Sequence, residues 1–137
     1  MPAKLLKCID FSTFPVGPGP NPRAISGIRF SVFDFNNVLL PTSQIKASGA
    51  FVGLDTGFRL EIEFPRKGVK AICMSLTHTA RPPRIAFISA AGNTVGTATL
   101  AATQNVAQEV ECTSPSIKRV IVKAPSDEAL LLTLCYG

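Results

Sequence analysis

Tryptophan is absent from this chain, and tyrosine and histidine each occur once, as Tyr136 and His78. Sugar recognition generally stacks rings on exposed aromatic faces, so a chain with no tryptophan is poorly supplied for it, and its nine phenylalanines mostly occupy alternating, core-like positions. One histidine excludes a multi-histidine metal site within a single chain and leaves His78 as the sole imidazole that any triad could use. No run approaches the roughly 18 apolar residues of a membrane span, and Met1 to Lys7 lacks the apolar stretch of a signal peptide. The expectation is therefore cytoplasmic synthesis, no membrane partner, and a final location that extends to a particle or cell surface. The four cysteines, Cys8, Cys73, Cys112 and Cys135, include no CxxC pair, which removes the usual zinc and dithiol motifs and makes reduced thiols the default.

What the chain has is apolar mass. Hydrophobic residues make up 46% of its 137 residues and charged ones only 17%, with a mean hydropathy of +0.28, a composition that argues against disorder. The length suits one domain over residues 1–137 with one core. Such apolarity in a small chain also points to surface hidden in subunit contacts. The net charge of +5 comes from 14 basic and 9 acidic residues scattered along the chain. That distribution describes a solvated basic surface. Basic and aromatic residues are not interleaved as a base-stacking platform requires, so no nucleic-acid partner is expected.

Period-two alternation is the dominant pattern. In Phe58-Arg59-Leu60-Glu61-Ile62-Glu63-Phe64 the apolar residues fall on one face and the charged ones on the other, the mark of a strand with one wet side. Weaker alternation runs through Gly27 to Asp34, Pro83 to Ala90, Ala107 to Thr113 and Lys118 to Ala124. Val69 to Leu76 and Ala129 to Tyr136 are apolar on both faces, as central or partner-covered strands are. Asp55-Thr56-Gly57, Pro65 to Gly68, Arg81-Pro82-Pro83, Ala91-Gly92-Asn93, Ser114-Pro115-Ser116 and Pro125-Ser126-Asp127 supply turn chemistry between the runs. Thr99 to Ala107, with its Thr and Val content, is assigned to strand and loop. Pro15 to Pro22 is too rich in Pro and Gly for a regular ladder and reads as a long crossover between sheets. About ten short strands spaced by turns indicate an all-β fold, a two-sheet antiparallel β-sandwich or barrel.

The opening Cys8-Ile9-Asp10-Phe11, the Pro/Gly-rich crossover, Gly27-Ile28-Arg29-Phe30, Glu61 to Pro65 and the closing Ala129 to Leu132 together resemble jelly-roll β-sandwich domains of the carbohydrate-binding and galactose-binding-like type. The resemblance is one of pattern over nearly the whole chain and implies a jelly-roll-like sandwich whose first and last strands lie together. It further implies a structural calcium near those strands, for which Asp10, Asp127 and Glu128 are the candidate ligands. The same adjacency turns Cys8 and Cys135 outward together if Ile9, Phe11, Leu130, Leu132 and Leu134 point inward, so they are either two free thiols or a disulfide.

Two short features invite chemistry. Gly53-Leu54-Asp55-Thr56-Gly57 contains the Asp-Thr-Gly triplet of aspartic proteases, but a later strand ending in the bracing glycine is missing: Arg119 to Lys123 is followed by Ala124-Pro125. A hairpin turn between Phe51 to Leu54 and Phe58 to Phe64 accounts for the triplet, and no enzyme is expected. His78, Arg81 and Arg84, with Arg66 and Lys67 nearby in strand order, form the candidate ligand-binding set, arginine being suited to carboxylates.

Two functions follow. The first is a non-catalytic structural or interaction subunit in a homo-oligomer or host assembly, such as a shell, decoration, appendage or surface protein. The second is a carbohydrate-binding, lectin-like module, with calcium as its only candidate cofactor.

Overall fold

The computed structural model describes residues 6–126 and 128–137. The alternating segments become antiparallel strands: β1 (Lys7–Asp10), β2 (Gly17–Gly19), β3 (Arg23–Ile25), β4 (Ile28–Phe33), β5 (Ser43–Ser48), β6 (Phe51–Asp55) and β7 (Arg59–Glu63). After these come β8 (Val69–His78), β9 (Arg84–Ile88), β10 (Thr94–Thr99), β11 (Gln108–Ile117), β12 (Arg119–Lys123) and β13 (Ala129–Tyr136). One sheet runs β11-β8-β13-β6-β5-β2, with β1 also paired to β13, and the other runs β10-β9-β12-β7-β4-β3. The fold is an all-β, jelly-roll-like antiparallel sandwich.

Parity along each strand places the core. Phe30 and Val32 of β4, Leu60 and Ile62 of β7, Val120 and Val122 of β12, and Ile85 and Phe87 of β9 are buried in one cluster with Ile45, Leu54, Met74, Leu76, Leu131 and Leu134 of the first sheet. Burying each such side chain contributes about 1.5–3 kcal/mol. Phe11, in a 3₁₀ turn after β1, meets Phe30 edge-on at 5.4 Å between ring centroids and closes one margin of this layer. At another margin the sheets approach so closely that a Cβ on Gly96 would lie 2.9 Å from Cys112 Sγ, so β10 needs glycine there.

The two strands that are apolar on both faces are interior. β8 lies between β11 and β13, and β13 between β8 on one side and β6 then β1 on the other. A register shift between Leu131 and Thr133 marks the hand-over from β6 to β1, and Leu132 in the bulge is still buried. The chain alone therefore covers Leu130, Leu131 and Leu132 without a partner.

Three expectations are revised. The Pro15 to Pro22 segment is not wholly without a ladder: β2 pairs with β5 through Gly17↔Ile45, Pro18↔Gln44 and Gly19↔Ser43. It does so at a sheet edge, where proline's missing N–H costs no ladder bond. The Asp-Thr-Gly turn is not a hairpin, because β6 belongs to the first sheet and β7 to the second, so the triplet carries the chain across the sandwich. Gly57 adopts φ +58° there, and a Cβ would lie 2.8 Å from the Phe33 carbonyl oxygen, which is why glycine ends the triplet. The default of reduced thiols also gives way at Cys8 and Cys135. Register places them directly opposite each other on β1 and β13, and they form a disulfide, whereas Cys73 and Cys112 are free.

That bond links residues 127 positions apart and holds a four-residue strand against β13. Closing so long a loop restricts the unfolded chain far more than the folded one. Replacing both cysteines by serine is expected to lower stability by about 2–4 kcal/mol, read as a lower urea midpoint against the oxidised parent. An unchanged midpoint would contradict this account.

Candidate functional site

Leu54, Leu131 and Leu76 are register partners facing the core, so the next row, Asp55, Leu130 and Thr77, faces outward from the first sheet. Thr79, Glu128 and Lys46 join this row around a cleft of about 220 Å³. This is below the roughly 300 Å³ at which drug-sized sites begin, a scale that suits one small polar ring. Leu130 and Ala129 supply an apolar wall.

The polar groups hold one another in place. Asp55 Oδ2 lies 2.7 Å from Lys46 Nζ, while its Oδ1 accepts the Gly57 N–H at 3.0 Å. The aspartate side chain is only 11% exposed and the lysine 54%, so a nearly buried carboxylate anchors an ammonium that reaches the rim. Opposite, Thr79 Oγ1 donates to Glu128 Oε2 at 3.3 Å, and the Thr79 N–H bonds the Glu128 carbonyl. Among the described residues Thr77 Oγ1 is buried beside the cleft with no hydrogen-bond partner. Two carboxylates, an ammonium and several hydroxyls thus converge with fixed orientation. With Oδ2 of Asp55 held by lysine and Oδ1 by a turn amide, the triplet supplies an anchor and not one half of a proton-sharing dyad.

The basic set expected to gather at one end is divided by the fold. His78 is buried, with Nδ1 3.0 Å from the Ala80 carbonyl oxygen and Nε2 2.7 Å from that of Ala101, so the ring is held against the 100–107 loop, and it lines the Asp55 cleft. Arg81 is exposed in the turn after β8, its N–H bonded to Ser126 Oγ. Arg84 opens β9 opposite Lys123, which in turn pairs with Arg59 at the start of β7. Arg66 and Lys67 lie beyond the other end of β7, in the Pro65 to Gly68 turn, about 20 Å from Arg84 at ~3.3 Å per residue. Five residues of antiparallel strand separate what sequence order had placed together.

Of the calcium candidates, the two described residues, Asp10 and Glu128, lie apart. Asp10 accepts the Ser12 N–H and hydroxyl, a capping role, and sits opposite Thr133. Glu128 precedes β13, about 15 Å back along that strand at ~3.3 Å per residue. Asp127 lies outside the described residues. Sequence reasoning missed the Lys46–Asp55 pair because its partners are brought together only through the β5–β6 pairing, and the turn assigned to Asp-Thr-Gly had already accounted for the aspartate.

The chain matches no protein-family model and no curated protein sequence. Its fold is similar to several solved structures. A family 29 carbohydrate-binding module from Piromyces equi aligns with 97% of this chain and 92% of its own at 12% identity and a TM-score of 0.49. CBM86, a low-affinity xylan-binding module from Roseburia intestinalis, aligns over 97% and 95% of the two chains at 12% identity and a TM-score of 0.45. A family 6 carbohydrate-binding module aligns over 96% and 92% at 10% identity and a TM-score of 0.44.

A second polar cluster lies on the same face. Cys73 is the register partner of Cys135 on one side and Glu111 on the other, and ligand atoms of Cys73, Glu109 and Glu111 come within 4.8 Å of one another. Partial burial first, then the charges of Glu109 and Glu111, push the Cys73 thiol above its ordinary pKa. A raised thiol pKa favours the protonated form, which is the weaker ligand and the weaker nucleophile. Replacing Glu109 and Glu111 by glutamine is expected to move the pH profile of iodoacetamide alkylation at Cys73 to lower pH and raise its rate at neutral pH several-fold. A profile that stays in place would show that the carboxylates do not govern the thiol.

Proposed function

We propose that this protein is a non-catalytic carbohydrate-binding β-sandwich, and that its sugar site is the cleft at Asp55. The observation that carries the proposal is the Lys46–Asp55 pair, 2.7 Å apart, set across from Glu128 and bordered by Leu130. A sugar ring offers vicinal hydroxyls that donate and accept side by side, and an oriented carboxylate–ammonium pair answers both roles at once. Hydrogen bonds to charged groups are the stronger ones, about 1.5–3 kcal/mol each, while the leucine wall meets the ring's C–H face. Carbohydrate binding is assigned here on this cleft and not on the likeness to solved structures.

The alternative of an assembly subunit rested on the apolar composition of the chain, and one place where a partner was expected, the strands apolar on both faces, is interior and covered by the chain itself. The most exposed large apolar side chains, Phe35, Val16 and Val38, lie outside the strands. The scarcity of tryptophan and tyrosine still disfavours a broad stacking platform, so recognition falls to hydrogen bonding in a small cleft.

An array of neutral oligosaccharides, followed by isothermal titration of the best ligand, tests the proposal. Asp55→Asn keeps an acceptor for the Gly57 N–H but removes the ion pair, and is expected to weaken binding about tenfold or more while the thermal melt stays cooperative. Glu128→Gln should weaken it as well. Absence of any ligand on the array, or parental affinity in both variants, would overturn the assignment.

A further inference from the structure

We propose that the outer face of the second sheet binds an acidic polysaccharide through Arg84 and Lys123. Register sets Arg84 of β9 directly opposite Lys123 of β12, and Lys123 directly opposite Arg59 of β7, so three cations occupy one row across adjacent strands. Like charges in directly opposed positions destabilise a sheet.

Elsewhere on this face the cations are neutralised. Arg29 pairs with Glu63, Arg59 with Glu61 at 2.9 Å, and Arg119 with Glu61 at 3.4 Å. Arg59 additionally lies over the Phe33 ring, 4.1 Å from its centroid. Arg84 and Lys123 form no ion pair among the described residues. The neighbouring outward positions on β9, β10 and β12 are Thr97, Thr99, Ala86 and Ile121, none of them acidic, and the nearest glutamate, Glu61 of β7 opposite Ile121, is taken up by Arg59 and Arg119. The uncompensated pair borders a shallow groove of about 530 Å³, with the two threonines along one side and Ala86 and Ile121 as its floor.

The shape and chemistry of this groove favour one ligand class. Arginine takes a carboxylate or sulfate through paired N–H donors, and lysine adds a point charge beside it. Threonine hydroxyls suit sugar hydroxyls, and a small aliphatic floor suits the C–H face of a pyranose. No aromatic residue lines the groove, which leaves nothing for nucleic-acid bases to stack on. Because both cations are exposed, the interaction weakens as salt rises. The groove belongs to the other sheet from the Asp55 cleft, so neither site requires the other.

Isothermal titration at low salt with polygalacturonate, dextran sulfate, uncharged dextran and single-stranded DNA tests the proposal. The parent is expected to bind at least one of the two acidic polysaccharides and not dextran. Arg84→Gln with Lys123→Gln should bind about tenfold more weakly or worse, with a thermal midpoint equal to or above the parent's because the opposed charges are gone. Arg66→Gln with Lys67→Gln lowers net charge equally at the far end of the sheet and should bind as the parent does. Failure to bind either acidic polysaccharide would overturn the inference. So would parental affinity in the Arg84/Lys123 variant, equal loss in the Arg66/Lys67 variant, or tighter binding of DNA.

Discussion

The strict in-and-out alternation of side chains along the strands governs everything else in this molecule, because two sheets can close over one apolar layer only if every strand keeps its parity. Leu60 and Ile62 point inward, which compels Arg59, Glu61 and Glu63 to point outward. The same rule applied to β6, β8 and β13 buries Leu54, Leu76 and Leu131 and turns Asp55, Thr77 and Leu130 to the other side. Both candidate surfaces are thus by-products of core registration. A one-residue slip in any of these strands would drive aspartate or arginine into the apolar layer and expose leucine.

Polar and charged groups on the outer faces differ in how well they are satisfied, and that difference separates structural from functional roles. His78 is buried between two carbonyl oxygens, Asp10 is engaged by its cap and Arg29 by Glu63, so each is explained by local structure. Asp55 and Lys46 satisfy each other at the mouth of a cleft, and Arg84 and Lys123 repel each other along a groove. The first arrangement is preorganised for a neutral polar ligand, whereas the second is incomplete until a counter-charge arrives. A chain poor in aromatic side chains can in this way offer two surfaces of opposite electrostatic character, one per sheet.

Much of the architecture was legible along the chain. Alternation located β4, β7, β9, β11 and β12, and doubly apolar runs located the interior strands β8 and β13, while of the turn-forming clusters Ser114-Pro115-Ser116 proved to lie within β11, at an irregularity in its pairing with β8 between Thr113 and Ile117. The ligand set was less legible. Arg84 was picked out, but for company with His78, Arg66 and Lys67, which the fold places in the core or at the far end of the sheet. Linear neighbourhood misled there because an extended strand carries the chain ~3.3 Å per residue away from its starting point. Lys46 and Lys123 carried no linear signal, since their significance comes from Asp55 and Arg84 on other strands.

Residue periodicity by itself determined that this chain forms short strands in two layers, and which side of each strand is apolar, because side-chain direction in a strand follows position with period two whatever its neighbours. Composition in turn determined that a multi-histidine metal site and CxxC motifs are absent. Which strands lie side by side was decided only in three dimensions, by long-range pairing that sequence spacing does not encode. That pairing joined Cys8 to Cys135, set Lys46 against Asp55 and aligned Arg84 with Lys123. Each of these contacts depends on strand order and register, which are chosen collectively by how the buried faces pack and not by any local run of residues.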